Sequence, residues 1–598
     1  MRREQRQGLT VASTDLETQI RRLEAASAVR RLQRAYGYYL DAAMWDAAAD
    51  LFTPDGSIEL GLDGIYRGRE RVREYLHALG QDRLGTIDGH FQECFQLQPL
   101  IMVAPDGLSA RARWRGFMLS GQAGRDAFWS EGPYENEYRC DDGRWQIKSL
   151  HWYQTFCVPY AGGWTRNVDA TGGVYVGQRL AADADPSEGY GTWPDVYTPP
   201  FHCLESRSDL AASPEAPAPG PLEQHVQRLT DVRAIENLIS AYGYYLDKQL
   251  WDALAELFAE DATMEISQRG VYVGRRRIRQ ALELFGPQGI ERGHLHNHLQ
   301  LQPVIHVTPD GTRAFCRSRA FSQLGTYEGN GIWHGGVYEN ELVKQRGVWK
   351  FKRDHVYTTF FADYARGWKE GARAAAKVSD KIPPDRPPSE VYEAFPGVYI
   401  PPFHYRHPLQ ASGLAQIAAQ GDVAGLARRV ERLEDEQAIE ILQRAYGYYL
   451  DKALWHEAAD LFAEDGTLEI AGGEVFVGKI RVLDYLQSLS PEGLTRGRLF
   501  DHMQLQPIIT LDPNGSSAQG RWHFFAQIGI HQQLAVWRIG TYENEYVKQN
   551  GLWRIRALRT YVNLNTRYED GWGAARAPAH NPSPLVPGFH FRHPVTGQ

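Results

Sequence analysis

Cysteine is scarce in this chain: five in 598 residues, Cys94, Cys140, Cys157, Cys203 and Cys316, with no paired spacing among them. That excludes a disulfide-stapled scaffold, and the five read as free thiols in a reducing compartment. No Cys-x-x-Cys or Cys/His zinc spacing occurs, so no metal is expected. Long hydrophobic runs are missing too: nothing approaches about 18 uninterrupted apolar residues, and the basic start MRREQRQ has no apolar segment behind it. Membrane insertion and a secretory signal are therefore not expected. Basic charge is in deficit, with a net charge of −8 and scattered Lys and Arg, so neither a nucleic acid nor a membrane surface is favoured as partner. The expected location is cytoplasmic.

What is present is an ordinary globular balance, 43% hydrophobic and 23% charged, in a chain too long for one core. Repetition decides how it is divided. The string AYGYYLD ends at Asp41, Asp247 and Asp451; QLQP ends at Pro99, Pro303 and Pro507; and a Tyr-Glu-Asn-Glu segment begins at Tyr134, Tyr338 and Tyr542. The period is that of a domain, not of a solenoid. It predicts a disordered N-terminus over 1–13, a first domain with a C-terminal arm over 14–211, a linker over 212–221, a second domain over 222–409, a linker over 410–422 and a third domain over 423–598.

Within each copy the pattern starts helical. In the second, Leu222, Val226, Leu229, Ile235 and Leu238 form one apolar stripe. In the first, Thr14 and Glu17 have capping-box spacing. A second helix carries Trp45 and Ala49 and is expected to stop at the turn signal Pro54-Asp55-Gly56, and a third spans about Arg69 to Leu79. Period-two runs follow, separated by turns such as Pro105-Asp106-Gly107 and Asp142-Gly143. Helices first and a curved antiparallel sheet after them is an α+β arrangement that can enclose a pocket. The Pro- and Tyr-rich tails, such as PPFHYRHP, read either as arms docked on a domain surface or as loose linkers.

The Tyr-x-x-x-x-Asp-x-x-x-Trp helix end (Tyr36, Asp41, Trp45; Tyr242, Asp247, Trp251; Tyr446, Asp451, Trp455), the histidine before the QP strand and the YENEY hairpin carry a resemblance. The sequence resembles nuclear transport factor 2-like domains of the SnoaL-like branch, which includes scytalone dehydratase and lindane dehydrochlorinase. The resemblance implies three cone-shaped α+β barrels, helices packed in a curved, mostly antiparallel sheet, in a pseudo-threefold arrangement within one chain. It also implies that an Asp at the helix end orients a His that abstracts a proton. Those residues are Asp247 with His298 and Asp451 with His502. In the first copy Asp41 is matched by Cys94, which departs from the pattern.

A neutral imidazole can remove a proton near pH 7, and a carboxylate behind it fixes the tautomer. The same Asp, four residues before Trp, is also placed to cap the next helix. Arg317 and Arg521, with Arg319 and His523 two residues after them in their own copies, share strand faces and are expected either to bind a developing anion or to form an exposed basic face paired with glutamates. His355 follows Trp349 by six residues, a step that keeps a face on a regular strand. With Asp247, His294 and His298 it makes the second copy's set the fullest. Tyr242 and Tyr446 are pocket or core residues, as are Trp251 and Trp455. His294 and His298 stand too far apart along a strand to share an ion.

The leading expectation is a cofactor-independent dehydratase, dehydrohalogenase or isomerase acting on a small apolar cyclic or aromatic molecule in domains 2 and 3. The alternative is a small-ligand-binding or scaffold protein with a partly degenerate first domain.

Overall fold

The computed structural model describes residues 2–80, 88–165, 180–195, 197, 222–326, 328–397, 399–404, 423–470 and 473–571. Copy 1 contains α1 (Arg2–Asp41), α2 (Trp45–Asp50), β1 (Phe52–Leu60), β2 (Ile65–Arg67), α3 (Arg69–Leu79), β3 (His90–Val103), β4 (Ser109–Gln122), β5 (Asp126–Asp141), β6 (Arg144–Trp152) and β7 (Phe156–Pro159). Copy 2 contains α4 (Leu222–Asp247), α5 (Trp251–Glu256), β8 (Phe258–Ile266), β9 (Val271–Val273), α6 (Arg275–Leu282), β10 (His294–Val307), β11 (Arg313–Thr326), β12 (Gly331–Gln345), β13 (Val348–Asp363), α7 (Gly367–Glu370) and β14 (Ala372–Arg373). Copy 3 contains α8 (Val423–Asp451), α9 (Trp455–Asp460), β15 (Phe462–Ile470), β16 (Glu474–Val477), α10 (Lys479–Leu489), β17 (Arg498–Leu511), β18 (Ser517–Ile530), β19 (Leu534–Gln549) and β20 (Leu552–Arg567).

Each copy folds one sheet; in copy 1 the order is β2-β1-β6-β5-β4-β3, antiparallel except where β1 runs parallel to β6. The long helix packs on one face of it and buries its apolar stripe there. Two expectations are corrected. The first helix starts at Arg2, so residues 2–13 are helical and Thr14 lies inside the helix instead of capping it. Pro54-Asp55-Gly56 makes no turn after α2 but an irregularity within β1, where pairing with β6 shifts between Phe52 and Ser57. The linkers at 212–221 and 410–422, Cys203 and the segment after Gly571 lie outside the described residues. The described parts of the arms dock: Trp193 and Phe395 are buried in a core shared by all three copies.

The strongest repeats make contacts between copies. The tyrosine after the glycine of AYGYYLD reaches the next copy's QP strand: Tyr38 donates to the Gln302 carbonyl (3.1 Å), Tyr244 to that of Gln506 (2.8 Å) and Tyr448 to that of Gln98 (2.9 Å). Those glutamines sit at positive φ in a bulge of the strand. Each side chain answers by donating to the facing helix, Gln302 to the Arg34 carbonyl, Gln506 to that of Ser240 and Gln98 to that of Arg444. Behind them Trp129, Trp333 and Trp537 donate to the hydroxyls of Tyr568, Tyr160 and Tyr364, each from another copy. The same hydroxyls donate onward to tyrosine carbonyls at 2.5–2.7 Å, closing a ring.

The glycine of AYGYYLD is required by this approach. A Cβ on Gly243 would lie 2.5 Å from Gln506 Nε2 of the neighbouring copy and 3.0 Å from the His298 carbonyl. Alanine is the better helix former by about 1 kcal/mol. Gly243→Ala is nonetheless expected to destabilise the chain by roughly 1–3 kcal/mol through overpacking, a loss that a urea melt would register as a lower midpoint.

Candidate functional site

The turn that ends each long helix fixes the repeated aspartate. Ala43, Gln249 and Ala453 take positive φ, which stops the helix two residues after the Asp and aims the carboxylate at the adjacent strand. The N-cap positions of α2, α5 and α9 are Met44, Leu250 and Leu454 and not the aspartates, so the capping alternative does not hold. Asp247 Oδ1 accepts the main-chain N–H of His298 at 2.5 Å, Asp451 Oδ1 that of His502 at 2.7 Å, and Asp41 Oδ1 that of Cys94 at 2.6 Å. The expected carboxylate–imidazole dyad is therefore corrected: the Asp holds the backbone of the His, and the residue type at Cys94 is immaterial to that bond.

The second carboxylate oxygen meets a basic side chain of another copy. Arg319 pairs with Asp41 and Glu93, Arg115 with Asp451, Asp501 and Glu131, and His523 Nε2 lies 2.9 Å from Asp247 Oδ2. Burial raises Asp41 and Asp451 above the usual carboxylate range while Arg319 and Arg115 pull them back down. The charges are matched by boundary. Where the cation is Arg, the facing copy presents Glu93 or Asp501 beside its Asp. Where the facing side chain is His523, that place is Asn297, which bonds Gln323 at 2.6 Å instead. Arg317 and Arg521 do pair with glutamates, Glu339 and Glu543, but on a buried face, stacked over Tyr38 and Tyr244 of the facing copies.

The helix-facing side of copy 2's sheet is different. His298, Ser322 and His334 stand side by side on β10, β11 and β12. The Nδ1 of His334 lies 3.2 Å from Ser322 Oγ and its Nε2 lies 3.3 Å from Thr358 Oγ1, while the ring of His296 lies 4.3 Å from that of His298. His298 Nδ1 is buried without a hydrogen-bond partner. Burial, with His296 and His334 close by, holds His298 well below its ordinary value; burial takes His334 down to about 4. All are neutral at pH 7. His502 in copy 3 is held at about 3, first by burial and then by Arg538 and Arg115, and its Nδ1 is also unpartnered.

Further along the same face is a residue that the motifs did not reveal. Asp354 is fully buried, accepts the Tyr242 hydroxyl at 3.1 Å through Oδ2 and leaves Oδ1 without a partner. Burial raises it to about 7, against the lowering effect of the Tyr242 and Asn340 side chains. The corresponding residues are Leu150 and Leu558. Across the sheet, Ser318 replaces the buried Trp114 and Trp522 of the other copies, and Trp522 fills its own copy by donating to the Tyr546 hydroxyl at 3.0 Å. Comparing the three copies position by position would have found both changes.

The remaining expected residues are placed as follows. Tyr242, Tyr446 and the indoles of Trp251 and Trp455 belong to the copies' cores, the indoles donating to the carbonyls of Gly286 and Ser490. His294 is exposed at the start of β10. His355 does not share a wall with Trp349: pairing of β13 shifts between Phe351 and Arg353, which reverses the faces. The Trp349 indole donates to Asp231 Oδ1, while His355 stacks on Tyr357 with Glu265 at 3.7 Å, and burial lowers it to about 3.

The model of the SnoaL-like domain matches residues 21–151, 227–355 and 431–559, more than half of the chain. The chain belongs to the SnoaL-like domain family. Solved structures similar to one copy include a protein provisionally named a scytalone dehydratase from Novosphingobium aromaticivorans, 22% identical over 25% of this chain and 95% of its own, TM-score 0.22. A second, a nuclear transport factor 2-like protein with a cystatin-like fold from the same species, is 19% identical over 24% and 92%, TM-score 0.22. A hexachlorocyclohexane dehydrochlorinase from Novosphingobium barchaimii is 18% identical over 23% and 92%, TM-score 0.21. Among the described residues no helix of this SnoaL-like chain is long and apolar enough to cross a membrane.

Proposed function

We propose that this SnoaL-like protein is a cofactor-independent acid–base enzyme of the lyase or isomerase type, acting on a small, uncharged cyclic or aromatic molecule inside the cone of copy 2. The observation that carries this reading is Asp354, a buried carboxyl without a counter-ion, standing where the sister copies place leucine. Such a group costs stability and has no packing use, which favours a chemical one. It is matched by His298, whose neutral Nδ1 is free to take a proton. In water near pH 5 the imidazole would be charged and the carboxyl ionised; burial reverses both. His298 would take the substrate proton, and Asp354, through the Tyr242 hydroxyl, would return one to the leaving or carbonyl oxygen. Asp247 is the positioning residue that fixes the His298 backbone. Asp451 and His502 would do the same in copy 3, a second candidate site beside Arg538.

Copy 1, with Cys94 and Trp114, would be a scaffold. The cyclic contacts support an intramolecular pseudo-threefold assembly, whose scattering radius of gyration should be about 25 Å; an extended string of domains would exceed that clearly.

With a panel of phenols, polyketide-like and halogenated cyclic compounds, His298→Ala should lower turnover by roughly 10²–10⁴ with the fold intact. His502→Ala should leave most of it. Equal activity in all three proteins would refute the assignment and favour a binding role.

A further inference from the structure

The three boundaries between copies are built from the same positions, but the space they enclose is divided differently. At the boundary of copies 3 and 1, Tyr448, Asp451, Arg113 and Arg115 enclose a pocket of about 340 Å³, and the arm residues Trp193 and Tyr197 of copy 1 enclose another of about 350 Å³. Lys452 lines both, between Pro133 and Thr155 of copy 1 and Leu494 and Leu499 of copy 3, which also line both. At the boundary of copies 1 and 2 the counterparts Tyr38, Asp41, Arg317, Arg319, Phe395 and Tyr399 surround a single cleft open to solvent, about 620 Å³ counting the solvent at its mouth. The position of Lys452, which is Lys248 in copy 2, is Ala42 in copy 1, and Ala42 lines that cleft.

The walls define what can enter. Phe91 and Phe395, whose rings lie 5.0 Å apart, are apolar, and Tyr38 and Tyr399 add two more aromatic side chains. Both guanidiniums of the floor are already paired: Arg319 with Asp41 and Glu93, Arg317 with Glu339. A ligand anion would find no unpaired guanidinium, and a ligand cation would have to share the carboxylates with Arg319 and Arg317 beside it. Donors are left over. Arg317 Nε and Arg319 Nε have no hydrogen-bond partner, whereas the Nε of Arg115, the counterpart of Arg319, reaches Gln98 Oε1 at 3.4 Å.

We propose that the cleft between copies 1 and 2, opened by Ala42 and roofed by the arm of copy 2, is a second binding site, for an uncharged aromatic molecule carrying a hydrogen-bond-accepting oxygen. This site is distinct from the cone of copy 2 and does not rest on the acid–base reading. Its occupant would tie the arm of copy 2 to the helix end of copy 1.

The test is calorimetric titration of the full chain with 4-hydroxyacetophenone, with benzoate and benzylammonium as charged comparators. The wild type should bind the neutral probe saturably and each charged one at least about tenfold more weakly, tenfold being roughly 1.4 kcal/mol. Ala42→Lys, which installs the residue the other two copies carry, should weaken binding at least about tenfold, and so should Tyr399→Ala, which removes one wall. Ser318→Trp, which fills the cone of copy 2 as the sister copies are filled, should leave it unchanged. No binding by the wild type, stronger binding of a charged probe, or binding that survives both A42K and Y399A would overturn the proposal. Loss in Ser318→Trp alone would move the ligand to the cone and overturn it equally.

Discussion

Replacing Asp354 by Asn is expected to stabilise the chain by up to about 4 kcal/mol at pH 8 and to lower turnover by roughly 10²–10⁴. Two opposite effects are expected from one substitution because burial raises this carboxyl to about 7 in the folded protein. An unfolded Asp releases its proton near pH 4. As pH climbs from about 4 to about 7, the unfolded chain is therefore stabilised by ionisation while the folded chain is not, and the wild type loses stability that the Asn variant keeps. Below pH 4 the difference should vanish. Denaturant melts of both proteins from pH 4 to 8 would show the curves parting over that window. A gap that does not change with pH would mean that Asp354 ionises normally. The rate should decline above pH 7, where the returning proton is no longer held, and that limb should be absent from whatever activity Asp354→Asn retains.

Arg319→Ala should cost roughly 3–5 kcal/mol, because it leaves Asp41 and Glu93 facing each other in a buried boundary without their cation. The chain suggests the repair. At the boundary of copies 2 and 3, His523 faces Asp247 alone and Asn297 takes the place of the second acid. Arg319→His by itself should therefore be poorly tolerated, and adding Glu93→Asn should recover most of the loss. Thr359 Oγ1, which lies 2.9 Å from Glu93 Oε1, can still bond the amide. A double-mutant cycle followed by thermal unfolding would give a coupling above about 1 kcal/mol if the boundaries are matched by charge. Additive losses would mean that these residues only share a neighbourhood.

The elements were largely legible in the sequence, and their faces and partners were not. The α3 helix spans Arg69–Leu79 as its spacing predicts, and Asp142-Gly143 closes the hairpin with two positive φ angles. His355 was misplaced because a bulge in β13 changes which side alternate residues face, and a bulge has no composition of its own. Asp41, Asp247 and Asp451 stand out in the sequence by repetition, but each carboxylate's basic partner comes from another copy, 278 residues away for Asp41 and Arg319. No local pattern encodes such a contact. The shared motif AYGYYLD drew attention to what the copies have in common, which proves to be their mutual packing. The chemistry suggested for copy 2 resides in what is not common: serine for tryptophan at Ser318 and aspartate for leucine at Asp354.

The measurement closest to the centre of this account is the ionisation of Asp354 itself, followed as the infrared carboxyl band present in the wild type and absent from Asp354→Asn. A protonated carboxyl that persists to neutrality and titrates with a midpoint near 7 is the predicted result. A midpoint near 4, the value of an exposed aspartate, would contradict it and leave the cone of copy 2 without its acid.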